Sequence, residues 1–426
     1  MPAFIHPRFA LATMLLWLLA GTAPARAQVR PRAAAGPYAA IATRGTHFDG
    51  VGRNAAYNLR GQRPCIALWL PMRGPDQAAS LAILAAARLA IADAGRARGA
   101  GARIPVLAIA DAGGPAWGRA DDRLLQLVFA RHAVALLTNT NGNLAHLGLQ
   151  VSNKIGLPVL TLAGDPATTA INMPWIFRLA PSDRMQARML ARVLYRRRGL
   201  RRVLLAAEDD QDGRAGLRAF QAAARRLGAA AAVFRFHPLQ AAAARSALVR
   251  ALRARRAQAA VLWAQPAEAG HLLRAILQAG LRLPVFLPQM AAQPEAGLNF
   301  SPPAGEPAPE IYTLAGAARH SARDRFARRF RQACGFAPNP VALEAYDAVR
   351  LLADSIRQAG ANRARVRDRL AATRNYAGVS GAVNFDNRGD NISAVHLVRV
   401  GLSAARAPQN APTSFRLPGK GRQLCR

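Results

Sequence analysis

Three short stretches of the 426-residue chain are dense enough in polar side chains to do chemistry. Asn139-Thr140-Asn141-Gly142-Asn143 crowds amides around a glycine. Where such a run joins a strand to a helix, it exposes backbone N–H groups at the helix N-terminus, a cradle for a carboxylate or another anion. Asn141 and Asn143 add side-chain donors and acceptors. The same residues also suit a purely structural use, with Asn143 capping the helix and Gly142 relieving backbone strain. Glu208-Asp209-Asp210-Gln211-Asp212 is an acidic cluster in a basic chain, able to receive an ammonium or amine, or to cap a helix through Asp212. Ala163-Gly164-Asp165 forms a third polar turn. Arg73 carries forked donors that match a carboxylate, and is otherwise a solvated charge. Trp117 can wall a ligand or pack on its own domain. With Gln265 and Gln289, these give the candidate ligand contacts: Arg73, Trp117, Asn141, Gly142, Asn143, Ala163, Gly164, Asp165, Asp212, Gln265 and Gln289.

No catalytic pattern accompanies them. Gly378-Val379-Ser380-Gly381 lacks the spacing of a nucleophile elbow, and HExxH, Walker A and GxGxxG motifs are missing. The histidines do not pair at metal-ligand spacing, and Cys65, Cys334 and Cys425 form no CxxC. The expectation is a binding protein with no metal, no cofactor and no enzymatic activity. An enzyme working through Asp209 and Asp212 would need two carboxylates with separated pKa values facing one pocket.

The candidate residues share a position, because each group lies just after an apolar run. Strands are predicted at 65–71, 104–110, 133–138 and 158–162, separated by helices at 76–97, 119–131 and 144–155. The pattern restarts after Pro181-Ser182-Asp183, with helices at 184–197, 213–227, 244–256 and 267–280 between strands at 202–207, 231–236, 259–264 and 284–288. Continuous apolar strands alternating with helices make parallel sheets covered on both faces. The fold class is therefore α/β, with two doubly wound Rossmann-like lobes in series. A Pro- and Gly-rich loop at 289–310 precedes a strand at 311–315, helices at 322–334, 342–358 and 364–372, and strands at 382–385 and 394–400. Ligands of such sheets bind beyond the carboxyl ends of the strands, so the site belongs in the cleft between the lobes.

The chain ends bear on compartment. His6 and Arg8 precede an apolar run at 9–20, and Ala25-Arg26-Ala27 offers a cleavage site before Gln28. This three-part pattern is that of a secretory signal peptide over residues 1–27, giving a periplasmic product. Residues 28–63 read as an extended lead-in and 401–426 as a disordered tail. Three cysteines in an oxidising compartment allow one disulfide and one thiol. Lys+Arg total 58 against 23 Asp+Glu, a net +35, with 51% hydrophobic residues and a mean hydropathy of +0.03. The apolar content supports globular cores. The basic residues are scattered and all Arg but Lys154 and Lys420, without zinc-finger spacing or an RNP-like aromatic motif, so no nucleic-acid partner is expected.

Five segments in order give the chain a likeness. ALWLPMRGP (67–75), IGLPVLTLAGDPAT (155–168), MPWIFRLAPSD (173–183), YDAVRLLADSI (346–356) and YAGVSGAVNFDNRGD (376–390) resemble type I periplasmic solute-binding proteins. The likeness is to the branched-chain-amino-acid receptors, Leu/Ile/Val-binding-like, of ABC uptake systems, and it runs over about residues 64–400. The last segment is the most specific, similar to the closing G-x-x-G-x-x-x-F-D-x-x-G-D pattern. The resemblance implies two lobes joined by a three-stranded hinge, a small ligand enclosed by hinge closure, and docking on an inner-membrane ABC permease, with the receptor a monomer. It places lobe 1 at 64–179 plus 311–372 and lobe 2 at 180–310 plus 373–400. The chain departs from the family where the site should be. Asn141-Gly142-Asn143 replaces a Ser-rich turn, Ala163-Gly164-Asp165 replaces a Ser/Ala-Thr pair, Asp212 replaces a Tyr, and Gln289 stands where an acidic residue often meets the ligand ammonium. These departures argue against a standard branched-chain amino acid and favour a polar, amide-like, hydroxylated or amine-bearing solute. The alternative is a non-transport regulator or interaction protein of an envelope complex, built on the same lobes.

Overall fold

The computed structural model describes residues 53, 63–74, 76–96, 104–113, 119–171, 173–292, 309–318 and 320–400. The expected leader, most of the lead-in, Trp117 and the tail from 401 lie outside the described residues.

The first sheet has the order β2-β1-β3-β4-β5, all parallel: β1 (Cys65–Leu70), β2 (Val106–Asp111), β3 (Ala133–Thr138), β4 (Val159–Thr161) and β5 (Ile176–Arg178). Every residue of β1 and β3 is buried, as continuous apolar strands sandwiched between helices must be. The helices on its faces are α1 (Gln77–Arg96), α2 (Arg119–Ala130), α3 (Gly142–Ile155) and the single turn α4 (Ala167–Ala170). The second sheet has the order β13-β10-β9-β8-β6-β7. It contains β6 (Val203–Glu208), β7 (Ala232–Phe236), β8 (Ala259–Trp263), β9 (Val285–Phe286) and β10 (Ile311–Gly316), with β13 (Val395–Arg399) antiparallel at one edge. Its helices are α5 (Asp183–Ala191, continuing as a π-helical turn over Arg192–Arg197), α6 (Gln211–Arg225), α7 (Ala241–Ala254) and α8 (Pro266–Gln278). The chain then returns to the first sheet as α9 (His320–Cys334), α10 (Pro340–Ala359), α11 (Arg363–Ala371) and the hairpin β11 (Tyr376–Ala377) to β12 (Ala382–Val383).

The first core joins β1 and β3 to α1 and α10. Alanines of α1 bring it close to Val349 and Leu352 of α10. By length and composition α1 could cross a membrane, but it is mostly buried in this core. Asp93 on its last turn is fastened from outside, accepting from Tyr346 Oη at 2.7 Å and Arg329 Nη1 at 2.8 Å.

The structure corrects three expectations. The strand at 311–316 lies in the second sheet, paired with β9 and β13, not in the first lobe. Conversely, residues 376–385 belong with the first lobe, because Val383 and Phe385 are buried in its core. The chain passes between the two sheets at 179–182, after Gly316, and between Asn391, which bonds to β5, and β13. Third, β5 was not foreseen: three residues ending in Arg178 form a strand because residue 390 bridges its far edge. Cys65 is free and buried, which pushes its thiol up to about 11, whereas Cys334 is disulfide-bonded.

Candidate ligand cleft

The carboxyl ends of β3 and β4 in the first sheet face those of β6 and β8 in the second, and their loops make one polar layer. The first loop is built around Asn141. This residue is extended (φ −82°, ψ 122°), and its Oδ1 accepts from Leu144 N–H at 3.2 Å, which makes it the N-cap of α3. The helix thus starts at Gly142, two residues earlier than predicted, and Asn143 is exposed within its first turn rather than capping it. Asn141 Nδ2 also donates to Asp76 Oδ2 at 3.2 Å, tying this loop to the one after β1.

The second loop is set by Thr161 and Arg178. Thr161 Oγ1 accepts from Thr138 Oγ1 at 2.8 Å and from Ala163 N–H at 3.1 Å, so Ala163 is buried as backbone support. Arg178, with no exposed surface, donates to Gly164 O at 3.0 Å, to Asp165 O and Thr169 Oγ1, and through Nε to Asp390 Oδ1 at 2.7 Å. A buried guanidinium needs this full set of acceptors, and its effect is to fix the turn that carries Asp165. Gly389, at φ +82°, packs so tightly on β5 that a Cβ would run into Ile176 O, which is the physical content of the Gly-Asp pair ending the sequence motif.

Asp165 meets three donors or partners. Its Oδ1 accepts from Ala167 N–H at 2.9 Å, and its Oδ2 accepts from Gln211 Nε2 at 3.0 Å and lies 3.2 Å from His146 Nε2. Burial alone would raise its pKa, but these bonds bring it down to about 2.

From the second lobe, Asp210 caps α6 by accepting from Gly213 N–H at 2.7 Å. Of the two uses open to Asp212 from sequence, ligand contact and helix cap, the cap falls to Asp210 instead. The Asp212 carboxylate is 4% exposed and accepts from Gly142 N–H at 3.3 Å across the cleft. Burial, then the nearby Asp183 and Asp210, raise its pKa well above the usual carboxylate range. Asp183, at the start of α5 and 1% exposed, has its Oδ1 against Gln186 Nε2 at 3.3 Å; its Oδ2 is without a hydrogen-bond partner. Burial pushes it up to about 7 despite Arg178 nearby. Asp76 is also raised, by burial first and in part by Asp210 opposite.

Of the predicted contacts, Asn141, Gly142, Gly164, Asp165 and Asp212 come together. Gln265 stands beside them, donating from Nε2 to Asp210 Oδ2 at 2.8 Å and from its backbone to Glu208 Oε2 at 2.7 Å. Gln289 turns away, buried and bonded through Nε2 to Glu344 Oε1 at 2.6 Å. Arg73 is exposed at the end of β1. The sequence reading missed His146, Asp183 and Arg178. His146 lies one turn after Gly142 on α3, and helical spacing alone could have added it; Asp183 and Arg178 acquire their places through contacts distant in sequence.

The model of the family described as "periplasmic binding protein" matches residues 65–406. The chain belongs to that family. Among solved structures, it is similar to the leucine binding protein LivK of Thermotoga maritima (19% identity, 79% of this chain and 95% of that one, TM-score 0.68). It is similar also to the substrate binding protein LivJ of Streptococcus pneumoniae in complex with isoleucine (17% identity, 80% and 97%, TM-score 0.68). A third is a solute binding protein of R. palustris in complex with benzoate (17% identity, 80% and 96%, TM-score 0.65). No curated protein sequence matches the chain. The fold is that of a type I periplasmic binding protein, with the cleft between two α/β lobes.

Proposed function

We propose that this periplasmic binding protein captures a small polar solute, amino-acid- or amide-like, by hinge closure and presents it to an inner-membrane ABC permease. The observation that carries this reading is the convergence of the strand-end loops of both sheets on one buried polar layer, through Asn141 and Asp165 on one side and Gln211 and Asp212 on the other. The similar structures holding isoleucine and benzoate support a solute of that size. The signal-peptide pattern at residues 1–27 supports export.

The direct bonds between lobes favour a second reading, in which the lobes stay shut without solute and regulate an envelope partner. A thermal-shift screen of residues 28–426, unfolded and refolded to strip carried-over ligand, separates the two. The panel holds amino acids, amides, polyamines, small carboxylates and polyols. A solute at 100 times its Kd adds about 2.7 kcal/mol of stability. A selective shift, lost when Asn141 and Asp165 are replaced by Ala, is the expected result; silence across the panel assigns the protein to the regulatory reading.

A further inference from the structure

The N-terminus of α3 is suited to a ligand carboxylate, and it is already filled. Asp212 reaches it from the opposite lobe, accepting from Gly142 N–H at 3.3 Å. Gly142 leaves no room beside it, since a Cβ at that position would contact Asp212 Oδ1. Asp212 also sits in the first turn of α6, so its carboxyl group lies between two helix N-termini. A solute carboxylate entering here would meet Asp212 instead of free N–H groups.

Most of the other ionisable groups around Asp212 are carboxyls, with His146 against Asp165 the basic exception. Asp76 of the first lobe and Asp210 of the second stand close enough for each carboxyl to act on the other's side of the cleft, and Asp165 and Asp183 flank Asp212. Arg178, which lowers the Asp183 pKa, is committed to Asp390. Asp183 Oδ2 is buried and without a hydrogen-bond partner, on a carboxyl close enough to Asp212 to act on it. Carboxylates on both walls of a cleft repel one another unless protons or a cation stand between them. Among the described residues no group has the arrangement of a metal site, and an ammonium, which donates hydrogen bonds to carboxyl oxygens, is the cation this geometry suits.

We infer that Asp212 is a built-in carboxylate seated in the anion cradle of α3, so that the cleft selects a primary amine and rejects the same amine bearing a carboxylate. The inference rests on the solute-capture reading above and sharpens it to a ligand class. Asp212 is then the residue that sets specificity, and Asp183 and Asp165 are the acceptors for the ammonium.

The test has two arms. In the first, Asp212→Ala is measured with and without acetate. An emptied cradle takes acetate, and the melting temperature rises by about 2–4 °C, while the wild-type protein does not respond. If Asp212→Ala does not fold in plain buffer, Asp212→Ser, too short to reach Gly142, is refolded with acetate present, and recovered folded protein is the readout. In the second, calorimetry compares matched pairs on wild-type protein: 3-methylbutylamine against leucine, and 1,4-diaminobutane against ornithine. The amines should bind at least about tenfold tighter, a ratio that falls about tenfold in Asp212→Ala. A folded Asp212→Ala protein indifferent to acetate overturns the inference whatever the wild type binds. Leucine binding as tightly as 3-methylbutylamine overturns it while the capture reading stands. Acetate rescue with no solute of either series bound keeps Asp212 in the cradle and overturns both the amine preference and the capture reading.

Discussion

Glu344 lies on α10 behind the cleft, 3% exposed, with Oε1 accepting from Gln289 Nε2 at 2.6 Å. Gln289 in turn donates from its backbone to Gln186 Oε1 on α5 at 2.8 Å, so the network spans both lobes at the hinge. Burial pushes the Glu344 carboxyl up to about 8, with Asp347 one turn away adding to it and the Gln289 bond opposing. In the unfolded chain the group returns to its ordinary 4.5. Between these values the folded protein holds a proton that the unfolded chain has lost. Stability is therefore full below about pH 4.5 and falls as pH rises, by about 1.4 kcal/mol per pH unit, until the folded group also ionises near pH 8. The most this one group can remove is about 5 kcal/mol, comparable with the whole stability of many domains. Glu344→Gln keeps the shape and the acceptor for Gln289 but cannot ionise. Urea unfolding followed by circular dichroism from pH 5 to pH 9 should find the variant within about 1 kcal/mol of wild type at pH 5 and more stable by several kcal/mol at pH 8. Asp183 and Glu208, also raised, titrate in both proteins, so the difference reports Glu344 together with its coupling to Asp347. A constant difference across the pH range would refute the assignment of a neutral, buried Glu344.

Asp390→Ala leaves the guanidinium of Arg178 buried without its counter-charge and should cost about 3–5 kcal/mol by urea unfolding. Arg178→Met on top of it should cost much less than it does alone, and strict additivity would deny the coupling. Gly389→Ala must hold a left-handed φ and push a Cβ into Ile176 O, so a loss of about 2–4 kcal/mol is expected; a loss under about 1 kcal/mol would mean that the segment does not lie against β5.

What could be read from the sequence was what local pattern controls. The apolar runs of β1, β3, β6 and β8 and the helices between them are set by periodicity, and the rule that loops follow strand ends picks out positions that the structure gathers into one cleft. What escaped depends on distant partners. The three residues of β5 end in an arginine that is tolerable only because Asp390, 212 residues later, meets it. The strand at 311–316 follows a long loop, and nothing in its own residues says which sheet it will extend. Asn141 and Asn143 are equally good caps by type; the backbone before Gly142 decides for Asn141. Asp212 looks like a capping residue because Asp210 does that work two positions earlier, and only the approach of α3 from the other lobe gives Asp212 its partner.

The net charge and the charge of the cleft point opposite ways. A chain carrying +35 invites the expectation of an anionic ligand. Yet exposed arginines act through water and salt, where their fields fade within about 8 Å at physiological ionic strength. Beside the cleft Arg178 is spent on Asp390, while Asp165, Asp183 and Asp212 are almost wholly withdrawn from solvent. At an effective dielectric near 20, a single charge about 4 Å away is worth about 4 kcal/mol, more than many screened surface charges together. On the capture reading proposed above, a solute answers to the buried carboxyl groups of the cleft rather than to 58 basic residues spread over the chain, and residues 141, 165 and 212 weigh more in what is bound than the overall basic composition.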